Sequence, residues 1–302
     1  MTPSTDPTRP ARTLPIGTPP QVRWAERFVI GLLFATMLVR VALIWNEWGF
    51  EDVNAYLGAA QRLRDGAPLY LGDLDPDSYR VFRYAPWFAW LWVPPSYLPV
   101  ELVSWGWGAV LGVASGWVLL RLAQLRRPAA WALAFVMAPW LLSLVQVGNI
   151  QPLVVAMLAF GISRRSGPLW IGIAASLKGV PLLFSLVYVA RREWMRVALT
   201  VVVTALLMAP LLLYDLSGYQ TDPGRSFSLY YYVSPLAWAV AAGMASLAAL
   251  TLAIRRSPYV FVAAAIAVML LAPRSHVTYA SYLLVGILNG GLDRIGGRDA
   301  EG

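Results

Sequence analysis

The stretch "RFVIGLLFATMLVRVALIW", residues 27–45, decides the fold class. It is almost uniformly apolar and long enough to cross a bilayer core, which takes about 20 helical residues. Similar runs recur along the chain, which is 58% hydrophobic and 13% charged, against roughly 45–50% and 25% in soluble domains. Runs of this length favour helices over a barrel as the structure that satisfies the backbone in lipid. We therefore predict an all-α, polytopic integral membrane protein.

The domain organisation follows from where this apolar pattern begins and ends. Residues 1–26 are rich in Pro and Thr and have no apolar periodicity, which predicts a disordered cytoplasmic tail. Residues 27–291 are predicted to form a single integral membrane domain, and residues 292–302 a second cytoplasmic tail. The first apolar run starts late and has no small-residue cleavage site after it, so we expect an anchor rather than a cleaved signal peptide. The chain has no cysteine, which excludes disulfide and thiol chemistry.

Basic residues predict the orientation in the membrane, because cytoplasmic loops carry an excess of Lys and Arg. The first apolar run is preceded by Arg9, Arg12, Arg23 and Arg27. The basic loops expected in the cytoplasm are 121–127, 163–167, 191–196, 255–257 and 293–298. All of them fall there if 84–99, broken by Pro94 and Pro95, is juxtamembrane or re-entrant and 167–190 is a short hairpin turning near Lys178. We expect about ten crossings, both termini in the cytoplasm, and a long first extracytoplasmic loop carrying juxtamembrane helices. The net charge of +8 is then a feature of topology rather than of nucleic-acid binding.

In this topology the unusual polar residues collect at the extracytoplasmic face. They come from the loop 46–83, the segment "VGNIQP" at 147–152, Lys178, the loop 214–232 and the segment "APRSHVTY" at 272–279. Acidic, basic and amide side chains would meet there, at the boundary of lipid and water. This arrangement suits a substrate with one part in each phase.

Four motifs carry a family resemblance. The first has Asp52, Tyr56, Gly66, Leu69 and Tyr70 in the pattern D-x-x-x-Y…G-x-x-L-Y. The others are "FRYAPWFAWLWVPPSYLP" (82–99), "GNIQPLVVAML" (148–158) and "SLKGVPLLFSLVYVARREW" (176–194). In order and spacing they resemble glycosyltransferase family 87, the polyprenol-phosphate-mannose-dependent branch of the multispanning GT-C superfamily. The resemblance extends from about residue 27 to residue 290.

The resemblance implies a helical bundle of GT-C type that acts as a hexosyltransferase in the plasma membrane. It would move a hexose, mannose by analogy, from a polyprenyl-phosphate donor to a hydroxyl group of a lipid-linked or glycan acceptor, with inversion, on the extracytoplasmic face. Asp52, four residues before Tyr56, takes the family position of the general base. A carboxylate is needed because an alcohol is a poor nucleophile at neutral pH.

Cations should bind the leaving phosphate, where negative charge develops during transfer. The candidates that the predicted topology brings to the outer face are Lys178, Arg225 and Arg274. Because these cations would do the electrostatic work of an ion, we expect a metal-independent enzyme without a cofactor.

The remaining polar candidates are predicted to contact the acceptor or the sugar: Glu51, Tyr56, Asn149, Gln151 and His276. Four of these five have a simpler explanation as well. Glu51 would serve equally as an interfacial charge. The two amides, Asn149 and Gln151, are of the type that pairs helices in membranes. His276, the only histidine, would be structural.

The run "GDLDPDSY", residues 72–79, has alternating aspartates of the kind found in carboxylate metal sites. A calcium loop of EF-hand type needs Gly at its sixth position and Glu at its twelfth, where this chain has Ser78 and Tyr84. We therefore interpret Asp73, Asp75 and Asp77 as an ordinary acidic turn.

Two other functional classes share the polytopic, basic character. A transporter or flippase commonly has two similar halves and ionisable residues near the bilayer midplane. The sequence has no internal repeat, and its polar groups gather toward one face. A structural or assembly subunit without catalysis is the third interpretation.

Overall fold

The computed structural model describes residues 49–125, 128–222, 224, 228–273 and 277–291, together with Phe28, Gly31 and Ala35. The rest of the first apolar run and both predicted tails lie outside the described residues. So do Arg225, Arg274 and His276.

All regular structure in the described part of the chain is helical. In chain order the α-helices are α1 (Glu51–Arg64), α2 (Pro86–Trp92), α3 (Val100–Gln124), α4 (Pro128–Val147), α5 (Gln151–Gly161), α6 (Gly167–Lys178), α7 (Leu186–Ala190), α8 (Trp194–Met208), α9 (Leu229–Tyr232), α10 (Pro235–Ile254), α11 (Val260–Leu271) and α12 (Tyr282–Gly286). Short 3₁₀ segments connect some of them: Pro95–Tyr97, Val180–Ser185, Ala209–Leu213 and Val277–Ser281. The predicted all-α fold is confirmed.

Four of the described helical stretches are long and apolar enough to cross a membrane: Val100–Gln124, Ala130–Val147, Trp194–Leu213 and Pro235–Ile254. Four shorter apolar helices accompany them: Gln151–Gly161, Val180–Ala190, Val260–Leu271 and Tyr279–Asn289. The chain is therefore a helical membrane protein. The count of about ten crossings stays a prediction.

The segment 84–99 has no helix long enough to cross a bilayer. Helix α2 spans about 10 Å at 1.5 Å per residue, and Pro94 and Pro95 follow it. Helix α1 packs against this segment. The guanidinium of Arg64 lies 3.9 Å from the ring centroid of Tyr97 and donates a hydrogen bond to the carbonyl oxygen of Ser96 at 3.2 Å.

The chain reverses direction after α6. Gly179 follows Lys178 with φ of +70°, a value that favours glycine. The 3₁₀ segment Val180–Ser185 and α7 then run back along α6. The hydroxyl of Tyr188, in α7, accordingly donates a hydrogen bond at 2.8 Å to the carbonyl oxygen of Ile162, which precedes α6. Lys178 consequently lies at the tip of this reversal.

Two loops that are distant in sequence form one surface, which we call the loop wall (residues 72–83 and 217–222). The side chain of Gln220 donates hydrogen bonds to the backbone carbonyl oxygens of Gly72 and Leu74, at 3.3 and 2.9 Å. The backbones approach closely at this point because both loops carry glycine there. A Cβ atom on Gly72 would lie 3.1 Å from the Cα atom of Gly218.

Candidate functional site

A cavity of about 500 Å³ lies between the first turn of α1, the turn from α4 to α5, the tip after α6, the loop wall and the 3₁₀ segment Val277–Ser281. Six of the residues predicted for the site line this cavity: Glu51, Asp52, Tyr56, Asn149, Gln151 and Lys178. They come from three separate regions of the sequence, so the fold brings together what the motif pattern assigned to one face.

Asp52 lies in the first turn of α1, where helix dipoles favour a carboxylate. The residue before the helix, Phe50, has a left-handed backbone with φ of +43°, which is uncommon for a bulky side chain. Its N–H donates a hydrogen bond to the carbonyl oxygen of Gln146 at 3.1 Å. This contact fixes the start of α1 against the end of α4. Asp52 is half-buried there, whereas Glu51 is exposed.

The carboxylate of Asp52 is bound by Asn149, from the turn between α4 and α5. Asn149 Nδ2 donates to Asp52 Oδ2 at 2.5 Å, and Asn149 Oδ1 accepts from the backbone N–H of Gln151 at 2.9 Å. The second bond orients the amide, because its carbonyl oxygen must face Gln151. Gly148 brings this turn against α1, since a Cβ atom there would lie 2.6 Å from Val53 Cγ2. Asn149 is thus a partner of the predicted base.

The ammonium group of Lys178 lies close to two tyrosine rings. Its Nζ is 5.4 Å from the ring centroid of Tyr84 and 5.7 Å from that of Tyr279, distances at which a cation is attracted to an aromatic face. Among the residues that the structure describes, no carboxylate lies within the 4.0 Å of an ion pair with this Nζ. A cation held in this way can attract an anionic ligand into the cavity.

Tyr56 contributes its hydroxyl rather than its ring. The ring is covered by Phe88 and Trp92, with centroid distances of 5.0 and 4.9 Å, so it cannot stack on a sugar. The hydroxyl lies 3.3 Å from the hydroxyl of Tyr84. Burial raises the pKa of both phenols above the usual value. Both phenols therefore stay protonated at neutral pH, and one of them donates its proton to the other.

Several cavity residues were missed by the sequence analysis: Arg83, Tyr84, Tyr219, Gln220, Asp222 and Tyr279. The signal that could have found two of them is the family-like segment 82–99, which includes Arg83 and Tyr84 as well as the prolines that break it. Tyr279 ends the segment "APRSHVTY", in which only Arg274 and His276 were predicted as site residues.

The acidic run has the predicted turn structure, since Asp75 Oδ1 accepts from the N–H of Asp77 at 2.9 Å. One feature of this run was not predicted: Asp77 lines the cavity. Within the described ranges, no group of three or more His, Cys, Asp or Glu side chains is arranged to hold a metal ion.

Arg83 joins the two halves of the loop wall at the cavity. Its Nη2 donates to the carbonyl oxygen of Pro76 at 2.6 Å and to that of Asp222 at 3.4 Å. The hydroxyl of Tyr219 donates in turn to the carbonyl oxygen of Arg83 at 3.1 Å. The cavity therefore has a polar, hydrogen-bonded wall opposite the helical part of the site.

Comparison with known proteins gives two matches. The model of a family described as Glycosyltransferase family 87 matches residues 82–233, half of the chain. A protein of Mycolicibacterium smegmatis (strain ATCC 700084 / mc(2)155), named "Polyprenol-phosphate-mannose-dependent alpha-(1-2)-phosphatidylinositol pentamannoside mannosyltransferase", is 29% identical over 201 residues. That alignment covers 60% of this chain and 49% of the relative, so the chain spans about half the length of that relative. No solved structure gives a significant match.

The family match covers most of the cavity. It includes Arg83, Tyr84, Asn149, Gln151 and Lys178 and ends before the 3₁₀ segment at Tyr279. It begins after α1, so Asp52 lies outside the matched range. The role of Asp52 consequently rests on the cavity geometry and on the motif in which it stands.

Proposed function

Because the chain belongs to glycosyltransferase family 87, we propose that it transfers a hexose from a polyprenyl-phosphate donor to a hydroxyl group of a lipid-linked or glycan acceptor, with inversion. The relative's name specifies mannose carried on polyprenol phosphate, and we propose mannose here. One observation carries the proposal: a carboxylate, Asp52, lines the same cavity as Lys178, a cation with no ion-paired carboxylate in the described part of the chain. Family membership disfavours the transporter and flippase interpretation.

We assign the general base to Asp52. In the transfer step, the acceptor oxygen forms a bond to the anomeric carbon while the bond from that carbon to the phosphate oxygen breaks. The proton of the acceptor hydroxyl passes to the carboxylate, and polyprenyl phosphate leaves as a monoester. Asn149 holds Asp52 Oδ2, so the carboxylate is oriented before the acceptor arrives. General-base catalysis of this kind typically contributes about 10²- to 10⁴-fold.

We assign the donor phosphate to Lys178. Negative charge increases on the phosphate oxygens as the bond breaks, and a preorganised cation stabilises that charge without reorganisation. The rings of Tyr84 and Tyr279 both attract the ammonium group. Arg225 and Arg274 are the further candidates for the same phosphate from the sequence. Metal independence stays a prediction that follows from these cations.

The acceptor should approach from the side of Glu51 and the loop wall. Glu51 is exposed beside Asp52, and the wall adds Asp77 and Gln220. Carboxylate and amide oxygens accept hydrogen bonds from sugar hydroxyls, so this side suits a polyhydroxyl acceptor. His276, predicted for the same role, stays a candidate from the sequence alone.

A transfer assay tests the function directly. The purified chain, reconstituted in lipid nanodiscs, would receive radiolabelled polyprenyl-phosphate mannose with either octyl mannosides or phosphatidylinositol mannosides as acceptor probes. We expect a labelled, elongated acceptor, and no product when GDP-mannose replaces the lipid donor. Transfer from GDP-mannose, or no transfer from any polyprenyl-phosphate hexose, would contradict the proposal.

We further propose that the cavity faces away from the cytoplasm, in the plasma membrane. Trp107 Nε1, near the start of α3, donates to the carbonyl oxygen of Gly148 beside the cavity at 2.8 Å. The same helix reaches Arg121 about 20 Å further along its axis. Arg164 precedes α6, whose last residue is Lys178. The positive-inside rule assigns these arginines to the cytoplasm, which supports an extracytoplasmic cavity.

Cysteine accessibility tests this orientation, and the chain has no cysteine of its own to give a background signal. Ser78→Cys and Thr221→Cys, both at the cavity, should react with a membrane-impermeant thiol reagent in intact cells. The matched control is Ser257→Cys in the basic loop after α10, which should react only after lysis. The opposite pattern of labelling would reverse the orientation.

A further inference from the structure

Gln151 carries a buried hydrogen-bond acceptor that the protein itself does not use. Its side chain is 1% exposed at the start of α5 and lines the cavity. Nε2 lies 3.4 Å from the hydroxyl oxygen of Ser281. Within the described residues, Oε1 has no hydrogen-bond partner.

An unpaired buried carbonyl oxygen loses its hydrogen bonds to water and gains none in exchange. Such atoms are few in folded proteins, and each calls for an explanation. A carbonyl oxygen can only accept. A ligand O–H or N–H in the cavity can supply the missing bond, and of the two parts of a polyprenyl-phosphate sugar only the sugar offers one.

The position of Gln151 agrees with a sugar rather than with the phosphate. Its backbone N–H bonds the amide that holds Asp52. Its side chain points to Ser281, two residues after Tyr279, whose ring contacts Lys178. Gln151 thus connects the base to the phosphate-binding cation along one wall of the cavity. In an in-line displacement the sugar ring lies between these two groups.

We propose that Gln151 is a specificity-determining residue whose Oε1 accepts a hydrogen bond from one hydroxyl group of the transferred hexose. The inference rests on the proposed function and adds the part of the donor that is recognised. The acceptor is a poorer candidate for this contact, because Gln151 is buried whereas Glu51, on the proposed acceptor side, is exposed.

A series of deoxy donors tests the inference by binding alone, without knowledge of the acceptor. Short-chain polyprenyl-phosphate mannose and its 2-, 3-, 4- and 6-deoxy analogues would be titrated against the chain in nanodiscs, as wild type and as Gln151→Met. Methionine keeps the length of the side chain and removes the carbonyl. We expect wild type to bind one analogue about 10- to 100-fold more weakly than the full donor. Gln151→Met should bind the full donor and that analogue equally weakly.

Two control variants separate this contact from structural effects. Ser281→Ala removes the partner of Nε2 and keeps the carbonyl, so the selective loss on the one analogue should persist. Tyr282→Phe removes a buried hydroxyl that lies beside the Gln151 amide and keeps the carbonyl, so the selective loss should persist there as well. If Gln151→Met does not fold, Gln151→Asn withdraws the same amide by about 1.5 Å and should weaken binding of the full donor while abolishing the difference.

The inference is wrong if each analogue shows the same loss of affinity, relative to the full donor, in wild type and in Gln151→Met. Persistence of the difference in Gln151→Asn, or its disappearance in Tyr282→Phe, would overturn it as well. These failures are distinct from failure of the proposed function. If the proposed function is wrong, wild type binds no polyprenyl-phosphate hexose at all. If only the inference about Gln151 is wrong, wild type binds and transfers the full donor normally.

Discussion

Replacement of Asp52 by asparagine should lower turnover by at least about 100-fold, the low end of the loss expected when a general base is removed. The asparagine side chain has nearly the same shape and can still accept the hydrogen bond from Asn149 Nδ2, so the start of α1 should keep its structure. Donor affinity and the melting temperature should stay near those of wild type. Single-turnover transfer from polyprenyl-phosphate mannose, together with donor titration and thermal unfolding, measures the three quantities.

Glu51→Gln is the matched control for this variant. Glu51 also lines the cavity. Adjacent side chains on a helix point about 100° apart, so the Glu51 carboxylate cannot replace that of Asp52 at the acceptor hydroxyl. We expect an effect on turnover far smaller than that of Asp52→Asn. The assignment is wrong if Asp52→Asn transfers at a near-normal rate while Glu51→Gln or Asp77→Ala abolishes transfer.

Replacement of Lys178 by methionine should weaken donor binding by about 10- to 100-fold, the range for losing a hydrogen bond to a charged group. The melting temperature should rise or stay unchanged. Methionine keeps the apolar stem of the side chain near Tyr84 and Tyr279, and it removes a charge whose transfer out of water is costly. Donor titration and thermal unfolding of the same preparation would show affinity falling while stability does not.

Arg164→Met provides a control with similar local chemistry. Arg164 also lies over an aromatic ring, 3.8 Å from the centroid of Phe160, but it precedes α6 whereas Lys178 ends it. Its loss should leave donor affinity unchanged. Arg274→Ala is a parallel test of the second predicted phosphate ligand. Unchanged donor affinity in both the Lys178 and the Arg274 variants would remove the phosphate assignment.

The sequence was sufficient for the fold class because membrane helices are specified by local composition. Each apolar run must satisfy its own backbone within the bilayer, and this requirement is visible without knowledge of neighbours. The positive-inside rule added an orientation, from which Asp52, Asn149 and Lys178 were predicted to share one face. The cavity lined by all three agrees with that reasoning.

The contacts within the site could not be predicted in the same way. Asn149 was interpreted as a helix-pairing or sugar-binding amide. Its hydrogen bond to Asp52 could not be foreseen, because the two residues are 97 positions apart in the sequence. Tyr84 and Tyr279 were missed because a tyrosine near a span end resembles an interfacial anchor. Their role around Lys178 exists only once the reversal at Gly179 has brought the lysine to them.

The loop wall was invisible to sequence reasoning because most of its hydrogen bonds end on backbone carbonyls, which carry no residue signature. Gln220 binds two carbonyl oxygens of the first loop, and Arg83 and Tyr219 each add another. Only the close approach of glycines at Gly72 and Gly218 left a trace in the sequence, and that trace fits any tight turn.

The loop wall also bears on the entropy of binding and on the way the protein can diverge. Free loops lose conformational freedom when a ligand closes over them, which weakens binding. Here Gln220 already fixes Leu74, 146 residues away, so that ordering belongs to folding and an incoming sugar meets a formed surface. The same bonds make the two loops one unit of variation. A substitution that reshapes either loop changes the partners of the other, so a new acceptor preference should evolve through paired changes in both.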